Sequence, residues 1–271
     1  MKIEYIKLDP TGNTTVLVKS RVARSEQAEI AARLLTDGSI GGEQVGYIQP
    51  ASDGRARASL QMMGGEFCGN ATMALGAHLA REAGLGEGET ADYSFEVSGS
   101  EALVPCHIRR VSDGWVGSVR MPLPTAIREV SVETDGGSLT VPLVELPGIS
   151  HLIFPAEAGL EEAFLRAQLP QLCRRFGADA LGALTWDAGG AYLDPLVYVP
   201  SAGTLVREHG CGSGSAAVGC WLAAQAGHGL ETAVRQPGGT IVVRTEMAGD
   251  GLTAVAICGR VVLVEEGTAE V

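Results

Sequence analysis

The clearest pattern in the chain is a pair of segments that would be apolar nearly all round as helices, residues 68–84 and residues 211–227. A helix with no polar face has no side to turn to solvent, so both segments predict helices buried inside their domains. Their many alanines and glycines let neighbouring strands approach closely. Gly84 and Gly227 close the two segments, and glycine is typical of a helix end because it adopts the left-handed conformation without steric cost.

The two segments are also copies of each other. At a constant offset of 143 positions (211 minus 68), eight of their seventeen positions carry the same residue. Internal repetition at this spacing indicates duplication of one module rather than a solenoid of short repeats. The identical pairs are Cys68/Cys211, Gly69/Gly212, Ala74/Ala217, Gly76/Gly219, Leu79/Leu222, Ala80/Ala223, Ala83/Ala226 and Gly84/Gly227.

Runs typical of strands surround each copy, and an amphipathic helix is predicted ahead of each, at residues 25–35 and 161–176. We therefore predict an α/β (α+β) fold of two pseudo-symmetric domains, each a curved β-sheet or barrel around a central helix. The predicted domains are residues 1–124 and 125–271. Packing of the last strand against the first domain stays open. Single strands are predicted at residues 44–49, 56–63, 183–186, 193–199 and 204–207. Two series of strands are also predicted, one that starts with 93–97 and ends with 116–121, and one that starts with 231–235 and ends with 252–264.

Composition narrows the class of protein. Hydrophobic residues make up 45% of the 271 residues, and no apolar run approaches the roughly 18 residues that a membrane span needs. The first residues predict a strand rather than a signal peptide, so we expect a cytoplasmic protein with no membrane partner. The net charge of −12 would repel a phosphate backbone and argues against nucleic-acid binding. A homodimer is left open.

Six cysteines carry the candidate chemistry. None forms a Cys-x-x-Cys pair or a zinc-type cluster with histidine, so we expect no metal, and the same absence disfavours a thiol redox protein. Four of them are interpreted as small buried hydrophobic residues. Cys68 and Cys211 differ because each comes just before a predicted helix. Unpaired N–H groups and the helix dipole favour a thiolate there, which should lower the pKa of the thiol.

Two cysteines in equivalent places suit the transfer of an α-proton. Free N–H groups at a helix start bind anions, so a substrate carboxylate would meet donors beside Gly69 and Gly212. Removal of the α-proton of an amino acid moves charge into that carboxylate, which such donors stabilise. A thiolate on one face would remove the proton and a thiol on the other face would return one. We predict a racemase with Cys68 and Cys211 as its catalytic residues; the alternative is that both are structural.

These motifs resemble those of the diaminopimelate epimerase superfamily. The resemblance implies two similar domains that meet at a cleft with one catalytic cysteine on each side, and a reaction that needs neither pyridoxal phosphate nor any other cofactor. It covers essentially the whole chain and rests on Thr11-Gly12-Asn13, Glu43-Gln44-Val45-Gly46, Phe67-Cys68-Gly69-Asn70 and Cys211-Gly212-Ser213-Gly214.

The chain departs from diaminopimelate epimerases where those enzymes hold the distal group of their substrate. In place of their Gly-Asn-Pro-His motif this chain has Gly148-Ile149-Ser150-His151, and the stretch before Cys211 is compressed around Glu208. Glu43, Glu208 and the run from Gln236 to Gly239 more closely resemble histidine racemases of staphylopine-type metallophore pathways. That resemblance implies interconversion of L-histidine and D-histidine. A diaminopimelate or other amino-acid epimerase, and a non-catalytic amino-acid-binding protein, stay open as alternatives.

A set of polar and glycine residues completes the predicted site. Glu43 and Glu208 are candidates to bind the substrate's α-ammonium group, while Asn70 and Ser213 are expected to cap free N–H groups and to line the carboxylate pocket. The family position of Asn13 implies a substrate contact, and His151 is left open as a pocket residue. The predicted substrate-binding residues are Asn13, Glu43, Gly69, Asn70, Glu208, Gly212 and Ser213.

Overall fold

The computed structural model describes residues 1–38, 40–134 and 136–271. They divide into two compact units, unit 1 with Met1–Arg120 and Ile257–Val271, and unit 2 with Met121–Ala256. In chain order the elements are β1 (Lys2–Pro10), β2 (Thr15–Val18), α1 (Arg24–Thr36), β3 (Gln44–Gln49), β4 (Ala58–Met62), α2 (Gly69–Glu82), β5 (Thr90–Val97), β6 (Val104–Val111), β7 (Gly114–Arg120), β8 (Ala126–Thr134), β9 (Gly137–Leu146), β10 (Ile149–Pro155), α3 (Glu162–Phe176), β11 (Leu181–Asp187), β12 (Tyr192–Val199), β13 (Thr204–Arg207), α4 (Gly212–Ala226), β14 (Glu231–Gln236), β15 (Gly239–Ala248) and β16 (Gly251–Glu270), with short 3-10 helices at Ala156–Ala158 and Pro200–Ala202.

Unit 1 wraps its strands around α2. β2 pairs in parallel with β3, β3 is antiparallel to β4, and β4 is parallel to β5. The two parallel pairs are joined through α1 and α2, as parallel neighbours require a crossover. β16 pairs with both β7 and β1, so the pairing returns to the first strand. α2 contacts β1, β2, β5, β6 and β7.

Unit 2 repeats this order of pairings. β10 is parallel to β11, β11 is antiparallel to β12, and β12 meets β14 in parallel at Tyr192 and Arg235. Here α3 and α4 make the crossovers, and α4 contacts β9, β10, β14 and β15. The predicted fold class is therefore confirmed: a mixed, sheet-rich α+β fold in which two pseudo-symmetric units each carry a central helix.

The buried helices form where the repeat predicts them. Every residue of α2 from Gly69 to Ala80 is buried, whereas burial of α4 is continuous only from Gly214 to Cys220. The predicted helix ends are also confirmed, because Gly84 and Gly227 both have φ of 72°. Both helices are exposed at their last residues, Arg81 and Glu82 in α2 and Ala224 to Ala226 in α4, and the apolar sequence of α4 did not predict its exposed end.

Small residues set how closely strands approach these helices. A Cβ added at Gly219 would lie 2.5 Å from Val243 Cγ1 and 3.0 Å from Val243 Cβ, and one added at Gly76 would lie 2.8 Å from Ile108. Because valine is branched at Cβ, its side chain cannot move aside without moving β15. The shared glycine of the repeat therefore fixes the spacing between each helix and its sheet.

We expect Gly219→Ala to destabilise the protein by about 1–2 kcal/mol. Overpacking costs about 1–3 kcal/mol, and the close contact with a β-branched side chain places Gly219 in the upper part of that range, about 2–3 kcal/mol. The better helix propensity of alanine offsets roughly 1 kcal/mol of that cost. Urea unfolding gives the difference, with Gly54→Ala as the control because a Cβ at Gly54 has nothing within 4 Å. Equal stability of the two variants would contradict the proposed spacing role.

Candidate active site

Cys68 and Cys211 are the N-cap residues of their helices. The Sγ of Cys68 accepts a hydrogen bond from the backbone N–H of Ala71 at 3.4 Å, and the Sγ of Cys211 accepts one from Gly214 at 3.2 Å. Both cysteines have extended backbone conformations, with φ of −136° and −98°. Since Ala71 and Gly214 are also 143 positions apart (214 minus 71), the two helix starts have the same geometry. The predicted placement of both cysteines at helix starts is confirmed.

A hydroxyl group supports each cysteine from the first turn of its helix. Thr72 Oγ1 donates to the carbonyl oxygen of Cys68 at 2.8 Å, and Ser215 Oγ donates to that of Cys211 at 2.7 Å. The backbone N–H groups of Thr72 and Ser215 donate to the same two oxygens, both at 3.0 Å. Each cysteine carbonyl therefore accepts two hydrogen bonds, which restrains the direction in which the residue enters the helix.

In unit 1 the half-buried Cys68 belongs to a polar chain. Its thiol donates to Gln44 Oε1 at 3.1 Å, and Gln44 Nε2 donates to Asn13 Oδ1 at 2.5 Å and to Thr15 Oγ1 at 2.8 Å. Because both of its amide hydrogens face acceptors, Gln44 is fixed with its oxygen toward the sulfur. Asn13, a predicted substrate-binding residue, is therefore connected to Cys68 through a single side chain. That side chain belongs to Gln44, which was not among the predicted site residues.

The other predicted residues of unit 1 lie around this chain. Gly69 and Asn70 are the first two residues of α2 and are buried. Glu43 precedes Gln44 and is exposed, and its backbone N–H donates to the carbonyl of Thr14 at 2.9 Å. Glu43 was predicted because of its charge, whereas the neighbouring neutral residue Gln44 contacts the Cys68 thiol. The only sequence signal for Gln44 was its place in the same short motif.

In unit 2 Cys211 contacts Ser213, Glu208 and, through Ser213, His151. Ser213 Oγ lies 3.6 Å from Cys211 Sγ and 3.0 Å from His151 Nε2. Glu208 forms a hydrogen bond with the Cys211 thiol. The expectation that Ser213 caps a free N–H is wrong, since its oxygen bonds to these two side chains and the sulfur of Cys211 is the cap. Predicted Gly212 opens α4 and is buried.

The environment of Cys211 favours the thiol over the thiolate. Burial raises the pKa of this thiol well above its ordinary value, and the nearby Glu208 carboxylate raises it further. The hydrogen bonds from Ser213 and from the N–H of Gly214 lower it, but they do not outweigh burial. The predicted lowering of the pKa at a helix start is therefore wrong for Cys211, because only 3% of the residue is exposed and desolvation disfavours the charged form.

His151 is fully buried beside this chain of hydroxyl and thiol. Burial lowers the pKa of its imidazole to about 3, so the ring is neutral at physiological pH. Its Nδ1 has no hydrogen-bond partner among the described residues. Gly182 lies opposite His151 in the parallel pair of β10 and β11, and a Cβ there would collide with the ring. A neutral ring can donate from Nε2 to Ser213, whose hydroxyl can then donate to the sulfur of Cys211.

Two other kinds of feature are absent from the described part of the chain. No group of three His, Cys, Asp or Glu side chains there is arranged to hold a metal ion. No helix there is long and apolar enough to cross a membrane.

The fold is that of amino-acid racemases and epimerases. A hydroxyproline epimerase from Agrobacterium vitis has a TM-score of 0.73, with 98% of this chain and 92% of that chain covered. A probable proline racemase from Agrobacterium radiobacter K84 has a TM-score of 0.71, with 99% and 92% covered. Their sequence identities to this chain are 14% and 16%, so these likenesses show the fold alone.

Sequence relatives define the family. The chain belongs to the family described as the histidine racemase CntK N-terminal domain, whose model matches residues 2–270. The histidine racemase of Staphylococcus aureus (strain Mu50) is 31% identical over 275 residues, covering 98% of this chain and 97% of the relative. The histidine racemase of Fusobacterium nucleatum (strain ATCC 23726) is 28% identical over 273 residues, with 96% and 97% covered. The chain is an isomerase of the amino-acid racemase class.

Proposed function

We propose that this racemase interconverts L-histidine and D-histidine with two cysteines as its acid and base. The observation that carries the proposal is the matched pair of capping cysteines, Cys68 and Cys211, in a chain whose relatives over nearly its full length are histidine racemases. A near-symmetric reaction is served by two groups of one type, because each must act as base in one direction and as acid in the other.

The proton balance of the proposed reaction is simple. A thiolate takes the α-proton, and the electron pair of the C–H bond moves into the carboxylate to give an enediolate. The opposite thiol then gives its proton to the other face of the α-carbon, and the electron pair returns. The first cysteine ends as a thiol and the second as a thiolate, so the reverse reaction begins with their roles exchanged.

The raised pKa of Cys211 supports a starting assignment. A thiol that burial and Glu208 keep protonated is an acid at neutral pH, so Cys211 is the proton donor of the resting enzyme and Cys68 is the base. Backbone N–H groups at the two helix starts, at Gly69, Asn70, Gly212 and Ser213, are proposed to bind the carboxylate and stabilise its developing charge. Asn13, Glu43 and Glu208 are proposed to complete the substrate contacts.

The product suggests a place in metabolism. D-histidine is a building block for a nicotianamine-like metal chelator, and we propose that this enzyme supplies it to such a metallophore pathway. Neighbouring genes for a nicotianamine-like synthase and an opine-type dehydrogenase would support that placement. The homodimer and the cytoplasmic location stay predictions of the sequence.

Deuterium incorporation tests the reaction directly. We expect the protein, incubated with L-histidine in deuterated water, to yield D-histidine with deuterium at the α-carbon, because the returned proton comes from a thiol that has exchanged with solvent. Chiral chromatography with mass detection measures both. A panel of common L-amino acids and diaminopimelate is run in parallel. Turnover of another member but not of histidine would reassign the substrate, and exchange with none of them would leave a binding protein as the better description.

A further inference from the structure

Gln236 is a buried polar side chain that the proposed reaction does not use. It is the last residue of β14 and only 5% of it is exposed. Its Oε1 accepts a hydrogen bond from the backbone N–H of Cys211 at 2.7 Å, and its Nε2 donates to Ser215 Oγ at 2.8 Å. Ser215 Oγ in turn donates to the carbonyl oxygen of Cys211 at 2.7 Å. The loop of hydrogen bonds therefore begins and ends on the same cysteine.

The direction of every bond in this loop follows from its members. A backbone N–H can only donate, so the amide oxygen of Gln236 must face Cys211. That orientation turns the amide nitrogen to Ser215, whose oxygen must then accept. The hydroxyl hydrogen of Ser215 is left for the Cys211 carbonyl, which can only accept. No alternative flip of the amide satisfies all three groups, and an unsatisfied buried group is costly.

Through Gln236 the loop also restrains the backbone N–H of Cys211, a group that no helix bond holds. As the N-cap residue, Cys211 lies outside the helix, and its N–H points away from the helical hydrogen bonds. The backbone angles of this residue decide where Sγ points. That sulfur is held by Gly214 at 3.2 Å and contacts Ser213 at 3.6 Å, and a small rotation of the backbone would change both distances.

We infer that Gln236 is a positioning residue for Cys211: together with Ser215 it fixes the backbone of this cysteine, and thereby the direction in which its thiol delivers and receives the α-proton. The inference rests on the proposed role of Cys211 in racemisation. Displacement of a reacting group by about 1 Å can lower a rate by about 10²-fold without loss of binding. The effect of Gln236 should therefore fall on kcat rather than on KM.

The test uses Gln236→Leu, Ser215→Ala and the double variant, each assayed in both directions with the amino acid that the wild type racemises. We expect kcat of Gln236→Leu to fall by about 10- to 100-fold with KM within about 3-fold of wild type, and kcat of Ser215→Ala to fall less. Because both residues act through one loop, the double variant should be no slower than Gln236→Leu alone. Additive losses would contradict the loop, and an unchanged kcat of Gln236→Leu would overturn the inference.

Gln27→Leu is the matched control. Gln27 is also a fully buried glutamine, but its Nε2 donates to the carbonyl of Val22 and it contacts neither cysteine. Gln27→Leu should lose stability and keep its kcat per folded molecule. An equal fall in kcat for both glutamine variants would mean that Gln236 is merely structural.

If Gln236→Leu does not fold, Ser215→Ala carries the test alone. A fall in its kcat at constant KM would support the inference, and an unchanged kcat would refute it. A wild type that racemises no amino acid would instead refute the proposed function.

Discussion

We expect Cys68→Ser and Cys211→Ser each to lower the rate of racemisation by about 10²–10⁴-fold, the range that positioned acid–base groups contribute. Each variant should fail in both directions, because the proposed mechanism needs one group to remove the α-proton and another to return it. A hydroxyl keeps the shape of the thiol but is a far weaker acid, so it neither supplies the base nor gives up its proton readily. Chiral chromatography of L-histidine and D-histidine reactions gives the two rates.

Residual exchange of the substrate's α-proton with solvent distinguishes a mechanism with two cysteine bases from a mechanism with one. A variant that keeps one functional thiol should still exchange the α-proton of one enantiomer with deuterated water while failing to convert it into the other. Cys173→Ser is the control, since this buried cysteine of α3 donates to the carbonyl of Ala178, a bond that serine can also make. If either active-site variant racemised histidine as fast as Cys173→Ser, the two-base proposal would be wrong.

The repeat predicted the central parts of the fold because it records both spacing and chemistry. A shared Cys-Gly start and a shared closing glycine bracket each helix, and α2 and α4 begin directly after the two cysteines. The end of β16 was not predicted. The apolar pattern ends at residue 264, where the chain turns polar with Glu265 and Glu266, yet the strand continues to Glu270 in register with β1, where Lys2 pairs with Glu270. Backbone pairing there does not depend on side-chain hydrophobicity, so no apolar pattern marks it.

The helix-start positions of the two candidate acid–base cysteines were predictable from the sequence, and their surroundings were less so. Helix-start chemistry pointed to Cys68 and Cys211, but the direction of the pKa shift at Cys211 depends on burial, which no local motif records. The contacts of Gln44 and Gln236 come from residues 24 and 25 positions away from their cysteines. A neutral amide carries no charge signal, and only the fold shows which of its atoms faces the cysteine.

Between pH 7.5 and pH 5 the change of stability with pH should be dominated by buried histidine. The pKa of His151 is about 3 in the folded chain, against an ordinary value of 6.5, because burial disfavours the charged ring. Between these two values the unfolded chain binds a proton that the folded chain does not. The stability is therefore fully present above pH 6.5 and is lost as the pH falls toward 3. Burial lowers the pKa of His78 as well, with Glu82 opposing it, which adds to the effect in the same direction.

We expect the free energy of unfolding to fall by about 2 kcal/mol between pH 7.5 and pH 5 through His151 alone, since each pH unit below the pKa of the unfolded chain costs about 1.4 kcal/mol. Urea unfolding at the two pH values measures the loss, and His151→Phe should reduce it by about that amount even though the variant is less stable at both. Phe154→Leu is the control, because Phe154 is a buried residue of the same strand with no titratable group, so this variant should be less stable but leave the pH-dependent loss unchanged. An identical loss in wild type and His151→Phe would show that the ring is hydrated or paired in solution. In that case the Nε2–H of a neutral ring would no longer explain how the Ser213 hydroxyl is oriented toward Cys211.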